Sequence, residues 1–159
     1  MKVTDRYVFF YGGQFSQWYK SEFEIDEMTF YTAEQFMMYK KALTFGDVEI
    51  AKLIMDTRDP KKQKYLGRKV RGYDDALWMA VAYDVVFEGN YAKFSQDAAL
   101  YTLLESTRGK LLVEASPFDK RWGIGMAEDE NGVDDPANWK GENLLGKAIT
   151  EVRIELFGS

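Results

Sequence analysis

Cysteine and histidine are both absent from the 159 residues of this chain. Without cysteine there is no disulfide and no thiol nucleophile. Without histidine there is no Ser-His-Asp or Cys-His triad and no ordinary zinc site. No metal and no cofactor is expected. Proton transfer near neutral pH therefore falls to Asp, Glu, Lys or Tyr. Proline is scarce, at three residues, and no low-complexity tract occurs, which excludes a disordered or fibrous chain. No apolar run approaches the ~20 residues needed to span a bilayer, and the opening MKVTDRYVFF carries no cleavable signal pattern; a cytoplasmic protein with no membrane partner is expected. Basic residues number 21 against 26 acidic ones, and a formal charge of −5 argues against a broad cationic face that wraps duplex nucleic acid. A nucleotide-sized ligand stays open.

Aromatic residues are plentiful: ten Tyr, eleven Phe and four Trp. They fit either an aromatic-rich core or a site that stacks sugars and bases. The length suits one domain over 1–159. Short strands are predicted at 8–11, 23–25 and 28–31, the last two joined by the acidic turn Asp26-Glu27. Between the first two lies the Gly- and aromatic-rich GGQFSQWYKS. Thr32 with Gln35 three residues later forms a capping box that opens a helix running to about Thr44. Asp47 caps a second helix through Met55, and Asp59-Pro60 opens a third, with Lys61, Lys62 and Lys64 on its surface, that stops at Gly67. A long helix over 73–94 carries the stripe Leu77, Val81, Val85, with Gly89 as a point of interruption. A short helix over 97–106, a strand over 111–115, an aperiodic stretch 116–138 and an amphipathic helix over 141–157 complete an α+β, helix-rich chain with a small sheet.

At 100° per residue Glu34 and Lys41 fall about 20° apart on the first long helix, flanked by Met37 and Met38, while Phe36, Tyr39 and Leu43 form the packing stripe. Two readings fit: ordinary surface charges, with an acid favoured near a helix N-terminus, or a carboxylate and an ammonium facing a cleft with perturbed acidities. The run EASPFDKRWGIG, Glu114 to Gly125, brings together a strand end, a Ser-Pro turn, Asp119, Trp122 and two glycines that let a backbone approach a ligand closely. Arg68 suits bidentate phosphate binding as well as it suits a surface. The acids at 128–135 fail the EF-hand spacing and read as a solvated loop.

In order, FSQWY (15–19), AEQFMMYKKA (33–42), LGR (66–68), Trp78, Lys93-Phe94, LLVEASPFDKRWGIG (111–125) and GENLLGKAI (141–149) resemble the blocks of the NADAR or YbiA-like superfamily over nearly the whole chain. The resemblance implies the YbiA-like fold and hydrolysis of an N-glycosidic bond to ribose, either in phosphoribosylamino intermediates of riboflavin synthesis or in ADP-ribose attached to guanine. The WGIG spelling is closer to the second branch, since the first tends to carry an acid at the position of Ile124. Two departures stand out: Gln17 where the family usually has Asn, and Glu142 where it usually has Lys. The resemblance makes Glu34, Lys41 and Asp119 the expected catalytic residues. Phe15, Ser16, Gln17, Trp18, Arg68, Glu114, Ser116, Trp122, Gly123 and Gly125 are the expected substrate contacts. Glu34 and Asp119 would act on the ribose and Trp122 would stack on it or on the base. Lys41 would hold Glu34 ionised or attack an opened ribose as an amine. The expected partner is a small nucleotide or an ADP-ribosylated guanine, free or within nucleic acid. The rival class is a non-catalytic ADP-ribose-binding module.

Overall fold

In the computed structural model, which describes all 159 residues, the elements in chain order are β1 (Lys2–Val3), β2 (Tyr7–Phe10), β3 (Phe23–Ile25), β4 (Met28–Phe30), α1 (Ala33–Thr44), α2 (Val48–Met55), α3 (Pro60–Gly67), α4 (Asp75–Gln96), α5 (Ala98–Glu105), β5 (Leu111–Glu114) and α6 (Leu144–Phe157). The class is α+β. The chain divides into two compact units, residues 1–16 with 98–159 and residues 17–97.

The first unit is built on a three-stranded sheet in the order β1-β2-β5. β1 runs antiparallel to β2, whereas β2 and β5 are parallel, with Tyr7 opposite Leu111 and Phe10 opposite Glu114. Both faces of that central pair are apolar, as parallel strands require. One face meets α6, and a cluster of Phe9, Val113, Ala115, Ile124, Met126 and Val133 fills the other side with Tyr7, Leu111 and Trp139 against it.

In the second unit α1 packs against α2, α3 and α4 beside the β3–β4 hairpin. The hairpin turns through Asp26 and Glu27, both at positive φ, the backbone that a two-residue turn between antiparallel strands needs. Phe23, Phe30 and Phe36 stack into the core here, with Phe30 and Phe36 edge-on at 5.0 Å, so a good part of the aromatic excess is packing.

Three expectations change. Leu77 is 61% exposed and Val81 is exposed too; the buried stripe of α4 is Trp78, Ala82, Val85, Val86 and Gly89. Two apolar stripes compete on this helix, and the one carrying the bulkiest ring is buried. Leu43 is likewise exposed, and α1 instead buries Ala33, Phe36, Met37, Met38 and Ala42. α6 starts at Leu144 rather than at 141, because 140–145 pair by backbone with the loop before them.

Candidate active site

The position of Glu34 is fixed by a buried polar network at the start of α1. Thr32 Oγ1 accepts from the Gln35 amide at 2.9 Å, as the capping pattern predicts. Gln35 then does more than close the box. Its Oε1 accepts from the Tyr31 amide at 2.8 Å and its Nε2 donates to the carbonyls of Ile54 and Thr57. The Thr32 hydroxyl donates in turn to Gln63 of α3, whose Nε2 reaches the Thr57 carbonyl at 2.9 Å. Every member is buried or nearly so, and each side-chain contact is satisfied, which holds the first turn of α1 in one geometry.

Glu34 is only 7% exposed, and its amide donates to the Gln17 carbonyl at 2.9 Å. Two turns on, Lys41 is half-buried, with Nζ 4.5 Å from the Tyr73 ring centroid. Its acidity is raised: burial pushes the ammonium pKa below the ordinary lysine value, Arg68 pushes the same way, and the carboxylates of Glu34 and Asp75 pull back. The structure thus gathers Glu34, Lys41 and Arg68 into one electrostatically connected set. The side chain of Gln17 belongs to the same unit. Its Oε1 accepts from Asn90 Nδ2 of α4 at 2.8 Å, and its Nε2 lies 3.9 Å from the Met37 sulfur. Trp18 is 41% exposed, with Lys64 Nζ 5.8 Å from its ring centroid.

The segment from Glu114 to Gly125 lies in the sheet unit and is shaped largely by its own backbone. Asp119 Oδ1 accepts from the amides of Arg121 and Trp122, both at 2.9 Å, an Asx turn that sets where Trp122 stands. The amides of Ile124 and Gly125 donate to the carbonyls of Glu114 and Asp119. The close approach that the glycines permit is therefore to this chain itself. A Cβ on Gly123 would lie 3.0 Å from both the Asp119 and Glu114 carbonyl oxygens. Ser116 is buried and its Oγ accepts from the Phe118 amide. Phe15, at 1% exposure, packs on Phe10 in the core and offers no free face to a ligand; Ser16 closes a turn to Gly13. The acids at 128–135 form no cluster of three carboxylates at metal-ligating spacing; Glu130 and Asp135 accept from nearby amides and Asp134 pairs with Lys2.

Three residues carry more of the structure than the sequence reading gave them, Asn143 and Lys93 standing there only as members of family blocks and Asn90 not at all. Asn143, at positive φ before α6, spends its side chain on β5: Oδ1 accepts from the Glu114 amide and Nδ2 donates to the Leu112 carbonyl. An Asn just ahead of an apolar helix signals a cap, and here that signal misleads, since Asn143 makes no side-chain cap bond. Asn90 and Lys93 are fully buried on α4 one turn apart, where nothing in the periodicity sets them off from solvent-facing polar residues.

A family profile described as the NADAR domain matches residues 9–157. The N-glycosidase R617 of Acanthamoeba polyphaga mimivirus is 44% identical, over 96% of this chain and 97% of its own length. The chloroplastic riboflavin biosynthesis protein PYRR of Zea mays is 28% identical over 84% of this chain, which covers only 21% of that protein. Among solved structures, the NMR structure of Escherichia coli YbiA superposes with a TM-score of 0.77 and 28% identity, covering 98% of this chain and 87% of that one.

Proposed function

The chain belongs to the NADAR domain family, and on that premise we propose that it is an N-glycosidase that hydrolyses a ribosyl N-glycosidic bond, with ADP-ribose on guanine as its substrate. The general activity is the one in the name of the mimivirus relative. The observation that carries the reading is the set around Glu34: a buried carboxylate, a lysine of lowered pKa and an arginine, on a helix start locked by hydrogen bonds.

Cleavage of the bond develops positive charge at the anomeric carbon and negative charge on the departing base nitrogen. Glu34 is assigned the first task, as an anion facing the developing cation or as the base for the attacking water. Lys41 orients and holds that carboxylate, and burial raises its share of neutral amine, the form in which it would attack an opened ribose. Arg68 is assigned a substrate phosphate. For Asp119 the loop geometry supports a positioning role, with Trp122 as the stacking surface it places.

Free-base release from ADP-ribosylated guanine, measured beside ADP-ribose binding by calorimetry, tests the reading. Glu34→Gln should keep the fold and the binding while turnover drops by on the order of 10²-fold or more. Near wild-type turnover in that variant would remove Glu34 from the chemistry. Binding of ADP-ribose with no release of base by the wild type would make the chain a binding module instead.

A further inference from the structure

The net charge of −5 conceals a local concentration of the opposite sign. Residues 60–71 hold six of the 21 basic residues and none of the 26 acidic ones. On α3 and the turn after it, Gln63, Leu66, Gly67 and Val70 are buried, whereas Lys61, Lys62, Lys64, Arg68 and Lys69 are exposed. At 100° per residue those five cations occupy an arc of roughly 160° that contains one other side chain, Tyr65. None of the five forms a salt bridge; Arg71, just beyond, is the basic residue of the segment that does, with Asp47 and Glu49. Aromatic rings are interleaved with this charge. Tyr65 is 57% exposed with Lys69 Nζ 5.1 Å from its centroid, and the exposed Trp18 lies beneath Lys64. The stripe leads to the chemistry, because Arg68 at its end acts electrostatically on Lys41.

We propose that the exposed face of α3, with Trp18 and Tyr65, is a docking surface for the sugar-phosphate backbone of a single-stranded nucleic acid. Unpaired cations in a row match phosphates in a row, and exposed rings beside them give unstacked bases a surface to lie on, a combination that serves single strands rather than duplexes. The rest of the chain is more acidic than its total suggests, which keeps the contact short. A face about 12 Å long meets on the order of two or three phosphates. The proposal deepens the reading of Glu34, on which it rests for the identity of the base that the strand presents. What it adds is the surface that holds the strand beside that base.

The test uses the full chain and a fluorescein-labelled, unmodified single-stranded 12-mer, with anisotropy followed across a salt titration. Wild type should bind with a log–log salt slope of about −2, and Lys61→Glu/Lys62→Glu/Lys64→Glu should lose on the order of 10-fold or more in affinity at low salt while the slope flattens. The helix dipole favours acids at 61 and 62 in the first turn, and all three side chains are exposed, so the triple variant is expected to fold; circular dichroism checks this. Trp18→Ala should weaken binding with the slope unchanged, which separates stacking from charge. No oligonucleotide binding by wild type, or equal affinity and slope in wild type and triple variant, would overturn the docking surface. So would charge-dependent binding to phosphatidylserine vesicles with none to the 12-mer. Release of guanine from a small ADP-ribosylated guanine nucleotide separates the two readings. If the triple variant turns over that substrate like wild type and also binds the 12-mer like wild type, docking fails and the enzyme reading stands. If wild type releases no base but binds the 12-mer through α3, the enzyme reading fails and docking stands.

Discussion

Lys93 places an ammonium where water does not reach. Its side chain is fully buried on α4, with Nζ 4.9 Å from the Phe94 centroid and 5.6 Å from that of Tyr19, and burial lowers its pKa from the ordinary 10.5 to about 7. Both ring faces are close enough for cation–π attraction. The linkage follows in sign. Between about pH 7 and 10.5 the unfolded chain holds a proton on Lys93 that the folded chain has released, so stability rises with pH through that window, and below about 7 the full cost of the buried charge is present. Lys93→Met, which keeps the length but removes the titrating group, should therefore flatten the rise of stability with pH between about 7 and 10.5. Urea unfolding of both proteins across that range measures it, and parallel pH curves would show that Lys93 does not titrate as described. Single residues were legible here only where a helix terminus or a shared face gave them away. Glu34 and Lys41 met that condition. Lys93 enters only through the family block Lys93-Phe94, because by periodicity a lysine in a long amphipathic helix reads as a solvated charge until the packing around it is known.

Elements were legible where local chemistry decides them. Thr32, Asp47, Asp59 and Asp74 each cap a helix through a side-chain oxygen, and three of these four starts follow directly from the sequence. Gly89 shows the opposite case, since it reads as an interruption of α4 yet the helix passes through it unbroken. Its function is proximity: a Cβ there would lie 2.9 Å from Phe36 Cδ2, and Phe36 is held by Phe23 and Phe30. Alanine is favoured over glycine in a helix interior by ~1 kcal/mol, but displacing a packed ring costs about 1–3 kcal/mol. Gly89→Ala should accordingly lower Tm, and a second change, Phe36→Leu, should recover part of the loss. A Tm above wild type for Gly89→Ala alone would mean that the ring gives way freely and that the glycine has another use. The same logic applies to the run Glu114 to Gly125, whose glycines suit the approach of a ligand and where Gly123 meets the carbonyls of Asp119 and Glu114. Glycines that admit a ligand and glycines that admit a neighbouring strand of the same chain look identical until hydrogen-bond partners are assigned.

At the scale of the whole chain, what no local pattern discloses is pairing. β2 and β5 lie about 100 residues apart yet form the parallel centre of the sheet, which is why residues 1–16 join 98–159 in one unit. The family blocks run through both units, since the NADAR profile spans 9–157, so the resemblance carried fold information that periodicity could not. The resemblance also offered Ile124 as a marker of substrate branch. In the structure this side chain is 0% exposed in the apolar cluster around Phe9 and Val113. In this chain an acid at that place would be buried without water, at a cost of several kcal/mol, so Ile124 serves the packing of the loop. The mimivirus relative is named an N-glycosidase and the maize relative a riboflavin biosynthesis protein, so the similarity reaches proteins of both kinds. Side-by-side assay of the ADP-ribosylated guanine and of the aminouracil phosphoribosyl intermediate decides the branch. Arg68 and the cationic face beside it favour the substrate with more phosphates, and the expected kcat/KM advantage of the ADP-ribosylated guanine is about 10²-fold or more. Equal values would assign this site the phosphoribosyl end common to both. A reversed ratio would move the chain to the riboflavin branch, with Glu34 and Lys41 keeping their roles at the same bond.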